Sequence, residues 1–467
     1  MKLGTWRPDL TPFGHDGLVM ARNVFPTLAG YEPVKAYSPV TAALGETWTG
    51  GGAFKASDGT VALLAGTAAN LYKYTDPTWT GTSAGSYSSR WQMAQFGDLV
   101  ICCMGAAPKK HNLTAGTTAA LGGSPPSAKY VATVKDFVAM AGVDSANSTV
   151  YWSAINNAEG WTPGTNQSDT QVIPDGGAIT GLAGGEYLLV FQRNAIWRAQ
   201  YVGVPFIFQF DKISDGIGCT SPYSIVQIGR TVYFWSQRGF MSITDGRIDP
   251  IGAQQVDSTF INQYSAAEIE SNIWAASDPV KKQIVWAMPQ RLWCYNWELQ
   301  RWTDIEEAVF GVFPGLTSNY TLEQIAALYP AIEDVPYPFD DPRWQGGQPF
   351  LGIAANDLTL GSFGSSTNLR AELTAPYIEP IKGRDTLIRS VRLESDVTSS
   401  MVVSLNCRAR MGDSDTQSVS GAVRPNGDAP IRARGRYIQP NMVFAQGASW
   451  TFVNSFEIVG AAGGGRQ

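Results

Sequence analysis

Nucleophilic catalysis and metal binding both lean on histidine, and this chain has only two, His15 and His111. Each falls in a stretch that reads as extended arm or loop, where a histidine is usually a surface residue. A Ser-His-Asp or Cys-His site is therefore not expected, nor a His-based metal site. Paired carboxylates, the machinery of glycosidases, remain the main enzyme option. The densest acidic spot is Asp340-Asp341 beside Arg343, which a capped or ion-paired turn explains without chemistry. KASDGTV, KISDGIG and SITDGRI start like the Ser-x-Asp-x-Gly-x-x-Trp box of sialidases but lack its final Trp, so they read as tight turns. No Gly-rich phosphate loop follows a strand and opens a helix. NLT, NST, NQS and NYT match the glycosylation pattern but mean nothing without a signal peptide. Cys102, Cys103, Cys219, Cys294 and Cys407 lack metal or redox spacing, and they read as reduced, mostly buried small residues. Cys102 and Cys103 are adjacent on an expected strand and should face opposite sides. No catalytic, cofactor-binding or metal-binding residue is assigned.

The elements around these residues are short strands. Lys281 to Glu306, KKQIVWAMPQRLWCYNWELQRWTDIE, holds three of them joined by tight turns. Such a unit cannot hide an apolar face alone and needs neighbours. Similar units lie at Val61 to Tyr74, Trp91 to Leu113, Tyr130 to Trp161, Ala178 to Ile213 and Ser224 to Gly252. Their apolar strands start roughly 35 to 55 residues apart, the spacing of propeller blades. FGDLVI, VKDFVAM, GGEYLLV, IGRTVYF and PVKKQIV repeat one plan, a weak strand, a turn and a stronger strand. Each turn should link the inner strand of a blade to the second. Trp293, Tyr295, Trp297 and Trp302 could form a sugar platform, but their place at strand ends suits packing between blades.

The expected fold is all-β: a β-propeller of seven blades, with six possible, an extended N-terminal arm and a C-terminal antiparallel β-sandwich. The arm covers 1–45, where five prolines exclude helix. The propeller covers 46–376. Its seventh blade, from Phe310 to Leu316 with Pro349 to Phe363 and Leu369 to Leu373, is split by an insertion at about 317–348. Thr321 to Tyr329 is the one helical pattern there, with Thr321 as N-cap and Pro330 as stop. Residues 377–467 alternate more strictly, giving one apolar and one Arg-rich face, and end in a flexible tail.

Net charge is −6, so no bulk basic field draws in nucleic acid. Basic residues nevertheless outnumber acids from Lys382 to Arg436. That stretch reads as the solvated face of a sheet rather than a specific polyanion site. No run reaches membrane-spanning length and no apolar leader opens the chain, which points to synthesis in a cytoplasm.

Several strings resemble the propeller tail proteins of short-tailed bacteriophages and prophages, the stabilisation, tail hub or nozzle proteins. They are WRPDLTPFGHDGLVMARNVFPTLAGYEPV, YWSAINNAEGWTP with QVIPDGG, DDPRWQGGQP, GDSDTQSVSG and PIRARGRYIQPNMVFAQGASWT, and together they run over nearly the whole chain. The insertion around Thr321 departs from the pattern. The resemblance implies a structural protein of the virion tail, assembled in the host cytoplasm, without catalysis. It implies a homo-hexameric ring below the portal and adaptor, beside tail fibre or spike proteins, through which the phage genome is retained and then ejected. Double-stranded DNA would pass without sequence-specific binding, and no membrane insertion is implied. The axis between subunits would be the conduit, since a propeller's own hole is narrow and filled with side chains. An acidic wall over residues 1 to 375 would repel DNA, whereas Arg408, Arg410, Arg432 and Arg434 would suit an acidic neighbour. The alternative function is a carbohydrate-binding or carbohydrate-cleaving propeller acting on the host cell surface; a cytoplasmic scaffold is the third reading.

Overall fold

The computed structural model describes residues 1–317, 346–397 and 399–462. The expected helix from Thr321, the Asp340-Asp341 pair and most of the insertion lie outside them. Strand accounts for 52% of the chain and helix for 4%, so the protein is all-β and propeller-like.

Six small sheets hold four antiparallel strands each. In chain order, the first four begin at Gly50–Lys55, Gln92–Phe96, Tyr130–Val134 and Ile179–Ala183, and the fifth at Val226–Ile228. A sixth set, Trp274–Asp278, Gln283–Met288, Arg291–Asn296 and Arg301–Ile305, follows the same plan inside a nine-stranded sheet. The seventh uses Val309–Leu316, Pro349–Ala355 and Leu360–Ser362, and takes its fourth strand, Ser38–Pro39, from the N-terminal arm.

First strands of successive sheets touch in order, and the first strand of the seventh touches that of the first. Between the fourth and fifth sheets the contact runs through the short turn Pro222–Ser224. The core follows the same circuit. Leu64, Leu71 and Val100 lie in the cluster between the first and second sheets, while Leu292, Ile305 and Val312 lie between the sixth and seventh. Trp48, Phe313 and Ala354 close the circuit between the seventh and first. Cys102 and Cys103 enter different clusters on opposite faces of the second sheet, as strand alternation requires.

The sixth sheet shows why a continuous apolar run folds this way. Every residue from Gln283 to Met288 is buried. Ile284 and Trp286 face the fifth-sheet side, whereas Val285 and Ala287 face the seventh. A strand covered on both faces needs apolar residues at every position rather than at alternate ones. Trp286 pairs across from Trp293, and Tyr295 across from Trp302. Trp302 stacks on Trp286 at 5.6 Å, meets Phe240 of the fifth sheet at 4.9 Å, and donates to the Ile251 carbonyl at 2.9 Å. The expectation that these aromatics pack between sheets holds for Trp302.

The arm is more deeply built in than its prolines suggested. Leu3, Trp6 and Leu18 are buried, and Trp6 stacks on Trp293 at 5.5 Å. Met20–Arg22 inserts between two strands, parallel to Arg301–Ile305 and antiparallel to Ala371–Thr374. This one short strand fuses the sixth sheet to the C-terminal region. Ala371–Thr374 pairs with Tyr437–Phe444, so the Leu369 to Leu373 stretch joins the C-terminal sheet rather than the seventh unit.

Two sheets form the C-terminal region. One continues through Ala371–Thr374, Tyr437–Phe444, Met401–Arg408 and Gln417–Ala422. The other places Thr386–Ser395 between Val453–Ala462 and Asp428–Gly435, and the arm strands Val24–Pro26 and Tyr31–Pro33 extend it. Alternate residues of Met401–Arg408 and Asp428–Gly435 are buried in a shared core with Phe444 and Met442.

Two short helices, α1 (Asp257–Gln263) and α2 (Ala266–Asn272), were not expected. The N-cap of α1, Val256, offers no side-chain acceptor. Asp9 of the arm takes that role from 250 positions away, accepting from the backbone N–H groups of Ser258 at 2.9 Å and Thr259 at 2.7 Å. A carboxylate there satisfies otherwise unpaired donors and complements the helix dipole. Helix α2 has its own capping box, Ser265 with Glu268.

Candidate functional site: the ring centre, the arm junction and the arginine face

At one end of the ring, amide side chains tie neighbouring sheets together. Gln95 Nε2 donates to the Lys55 carbonyl of the first sheet at 2.7 Å and to Gly97 in its own turn at 2.9 Å. Gln227 Nε2 repeats the clip, reaching Gly184 of the fourth sheet at 2.7 Å and its own Gly229 at 3.1 Å. Thr133 Oγ1 donates to the Gln95 carbonyl at 2.7 Å. These residues border an open cavity of about 420 Å³, otherwise lined by alanine, glycine, leucine and isoleucine. Its lining carries no charge, and its polar side chains are already engaged with backbone.

The opposite arrangement holds around Arg90, just ahead of the second sheet. Its guanidinium donates to the Ile273 carbonyl at 2.7 Å and lies over Tyr223 at 4.7 Å and Trp274 at 4.5 Å. Tyr223 Oη returns a bond to the Arg90 carbonyl at 3.2 Å. Tyr223 precedes the fifth sheet and Trp274 opens the sixth, so Arg90 reaches across the circuit rather than to its neighbours. Trp48 adds a tilted contact to Trp274 at 4.6 Å. No carboxylate pairs with Arg90 among the described residues, and burial lowers its pKa to about 10. Aromatic faces and one carbonyl replace the missing counter-ion. The centre of the ring is crossed by side chains here.

The arm junction buries charge. Asp304 is fully buried, with Arg22 Nε at 3.2 Å and Arg291 Nε at 3.3 Å from one carboxylate oxygen. Arg22 also reaches Glu306 at 3.0 Å. Burial pushes the Asp304 carboxyl up to about 6, against the pull of the two arginines. Nearby, burial pushes Asp257 up to about 7; the Phe240 N–H donates to it at 3.1 Å, and Asp9 adds repulsion. A Cβ on Gly252 would stand 2.0 Å from the Asp257 carboxylate, so glycine is required there.

The four arginines expected to act together do not share a face. Arg432 and Arg434 project from the exposed side of Asp428–Gly435, with Arg389 on the adjoining strand. Arg434 pairs with Asp385 at 3.4 Å, whereas Arg389 and Arg432 have no ion pair among the described residues. Arg408 lies on the other sheet, over Tyr377 at 4.2 Å and bonded to Asp415 at 2.7 Å. Arg410 is exposed in the following turn.

His15 is half-buried in the arm, where its Nδ1 accepts from the Gly17 N–H at 3.0 Å. His111 corrects the loop reading: it is fully buried on the strand Lys109–Asn112, its Nδ1 2.8 Å from Thr118 Oγ1. Burial, helped by Lys73, lowers its pKa to about 4 and keeps it neutral. The structure brings the two histidines to no common site. Of the sialidase-like strings, Asp58 and Asp245 sit in turns as expected, whereas Asp215 is the last residue of the strand Ile207–Asp215, with the bend beginning only at Gly216. All five cysteines are free and buried. Sequence reasoning missed Gln95 and Gln227. Their signal was a Gln two residues before the turn glycine in both QFGD and QIGR.

No family model and no curated protein matches the chain. Among solved structures, one similar chain is PorZ, a bacterial surface component of the type-IX secretion system of Porphyromonas gingivalis. It is 9% identical with a TM-score of 0.40, over 72% of this chain and 44% of PorZ. Another is the extracellular domain of a one-component system from B. thetaiotaomicron, 10% identical with a TM-score of 0.43, over 91% of this chain and 63% of that one. A chain of a nidogen/laminin complex is 8% identical with a TM-score of 0.32, over 45% of this chain and 82% of its own. This chain thus spans less than two thirds of the first two. Likeness at this level carries no argument about function.

Proposed function

We propose that the protein is a structural component of a short-tailed phage tail, a hub or nozzle subunit. In this reading the small sheets are the seven blades of a propeller closed by the arm strand Ser38–Pro39. The C-terminal sheets are a β-sandwich fused to the sixth blade. Six copies form a ring below the portal and adaptor and beside fibre or spike proteins, and the genome is held and then released along the axis between them.

The observation that carries this reading is the incorporation of the arm. Residues that form the resemblance, Trp6, Asp9, Arg22 and Tyr31 among them, are spent on stacking, capping, ion pairing and strand pairing. A chain whose shared features are joints rather than a cleft is suited to be a rigid building block. The crossing of the ring centre by Arg90 favours a passage between copies over one through the propeller. Trp286, Trp293 and Trp302 are buried, which removes them from any sugar-stacking surface.

Electron microscopy of the purified protein and of the particle that carries it tests the proposal. Six-fold rings and a terminal tail position are expected. A monomer that cleaves or binds bacterial polysaccharide would sink it.

A further inference from the structure

The third and fourth strands of the fourth sheet, Ala195–Gly203 and Ile207–Asp215, are nine residues each. The outer pair of the second sheet, Lys109–Asn112 and Thr117–Ala120, has four each. At about 3.3 Å per residue the longer hairpin projects roughly 10 Å or more beyond such a pair. Its turn end packs on one side against the third sheet, where Ile207 is buried and Phe208 is buried against Phe137 at 5.2 Å and Trp152 at 5.3 Å. The other side of the turn is bare: Val202, Val204 and Phe206 are 49%, 74% and 78% exposed. Three large apolar side chains within five positions of a projecting turn are an interaction feature rather than scattered surface residues.

The C-terminal region holds a matching hollow. Val402, Ala422, Val443 and Ala445 line an open, nearly wholly apolar cleft of about 360 Å³, with Arg370 at its rim. Val402 is 42% exposed, although it lies in the middle of a sheet. The hairpin belongs to the fourth sheet, and the cleft lies on the sheet that continues from the sixth, so knob and hole occupy different parts of one chain.

We propose that the hairpin tip Val204 to Phe206 of one copy seats in the Val402–Val443 cleft of the next. Every copy carries both halves. The charges agree with this pairing. Residues 130–216, which bear the hairpin, hold eight Asp and Glu against four Lys and Arg. Residues 377–467, which bear most of the cleft, hold eleven Lys and Arg against eight Asp and Glu. Opposite fields steer such surfaces together and disfavour hairpin-to-hairpin encounters. Because the two patches differ, the contact is head-to-tail and generates a closed ring or an open fibre, not a two-fold dimer. The inference rests on the ring reading and adds which surfaces make the ring.

The test uses the full chain and measures molar mass in solution by light scattering, with thermal melts to verify folding. The wild type is expected as a multi-subunit ring, and Phe206→Asp and Val402→Asp each as monomers. A mixture of the two variants retains one intact tip and one intact cleft, and is expected to stop at a heterodimer. Should Val402→Asp fail to fold, Ala422→Glu at the cleft edge replaces it. A further arm mixes Phe206→Cys with Val402→Cys, and a disulfide-linked dimer is expected only in the mixture. A ring that persists in Phe206→Asp overturns the assigned contact and leaves the ring reading standing. A wild-type monomer overturns both.

Discussion

The fourth and sixth sheets are built on one plan and have opposite surroundings. The sixth is enclosed: the arm strand Met20–Arg22 covers its outer edge, α1 and the fifth sheet pack its aromatics, and Asp304 is buried between two arginines. The fourth packs one side of its hairpin turn on the third sheet and leaves Val202, Val204 and Phe206 bare on the other. The same four-strand unit thus serves as a joint where other segments enclose its outer strands, and as a contact surface where one side of them is left open. What decides its role is the chain around it, not the unit.

Substitutions in the two sheets should therefore separate cleanly. Trp302→Ala should have the largest effect, a loss of about 4 kcal/mol of stability by denaturant unfolding, because it empties a cavity among Trp286, Tyr295 and Phe240. A folded Trp302→Ala protein with unchanged stability would break the contrast. Asp304→Ala should cost about 3 kcal/mol, since it strands Arg291 and half-strands Arg22 in a buried place. The same unfolding assay measures it, and Asp304→Asn should lose less.

Asp257 sharpens the comparison through pH. Its carboxyl is pushed up to about 7, so the folded protein keeps a proton that the unfolded chain releases near pH 4. Stability from this group is full below the unfolded value and is lost as pH rises through about 7. Asp304, raised to about 6, acts in the same sense. Asp257→Asn should flatten the decline in unfolding free energy between pH 5 and pH 8 by on the order of a few kcal/mol, leaving the part due to Asp304. An unchanged slope would show that Asp257 ionises freely. Asp9→Ala should cost about 1 kcal/mol by removing the borrowed cap of α1. Smallest of all, Phe206→Asp should shift unfolding by less than about 0.5 kcal/mol while changing the assembly state.

Much of this architecture was legible in the sequence because it repeats. FGDLVI, VKDFVAM, GGEYLLV and IGRTVYF each mark a turn from the first to the second strand of a sheet. The first strand Gly50–Lys55 escaped because GGGAFK carries three glycines and little apolar pattern. Helix α1 escaped because its cap lies in the arm, and no local rule reaches 250 residues. Helix α2 could have been found, since Ser265 and Glu268 stand at capping-box spacing. Arg90 and Arg22 were unreadable for the same reason as α1, as their partners are brought near only by closure of the ring and docking of the arm. His111 misled because two lysines precede it, yet its strand turns the ring inward.

The arm also ties folding to contacts of very long range. Met1 bonds to Phe456, Tyr31 pairs with Val453, and Ser38–Pro39 completes a sheet whose other strands end at Ser362. The arm strands therefore depend on segments far downstream, and pairings this distant in sequence form slowly. Loss of Val453–Ala462 would leave Tyr31 without its partner Val453, while Trp6 and Arg22 would keep theirs. The arm thus makes the whole set of sheets, rather than any one of them, the unit that folds.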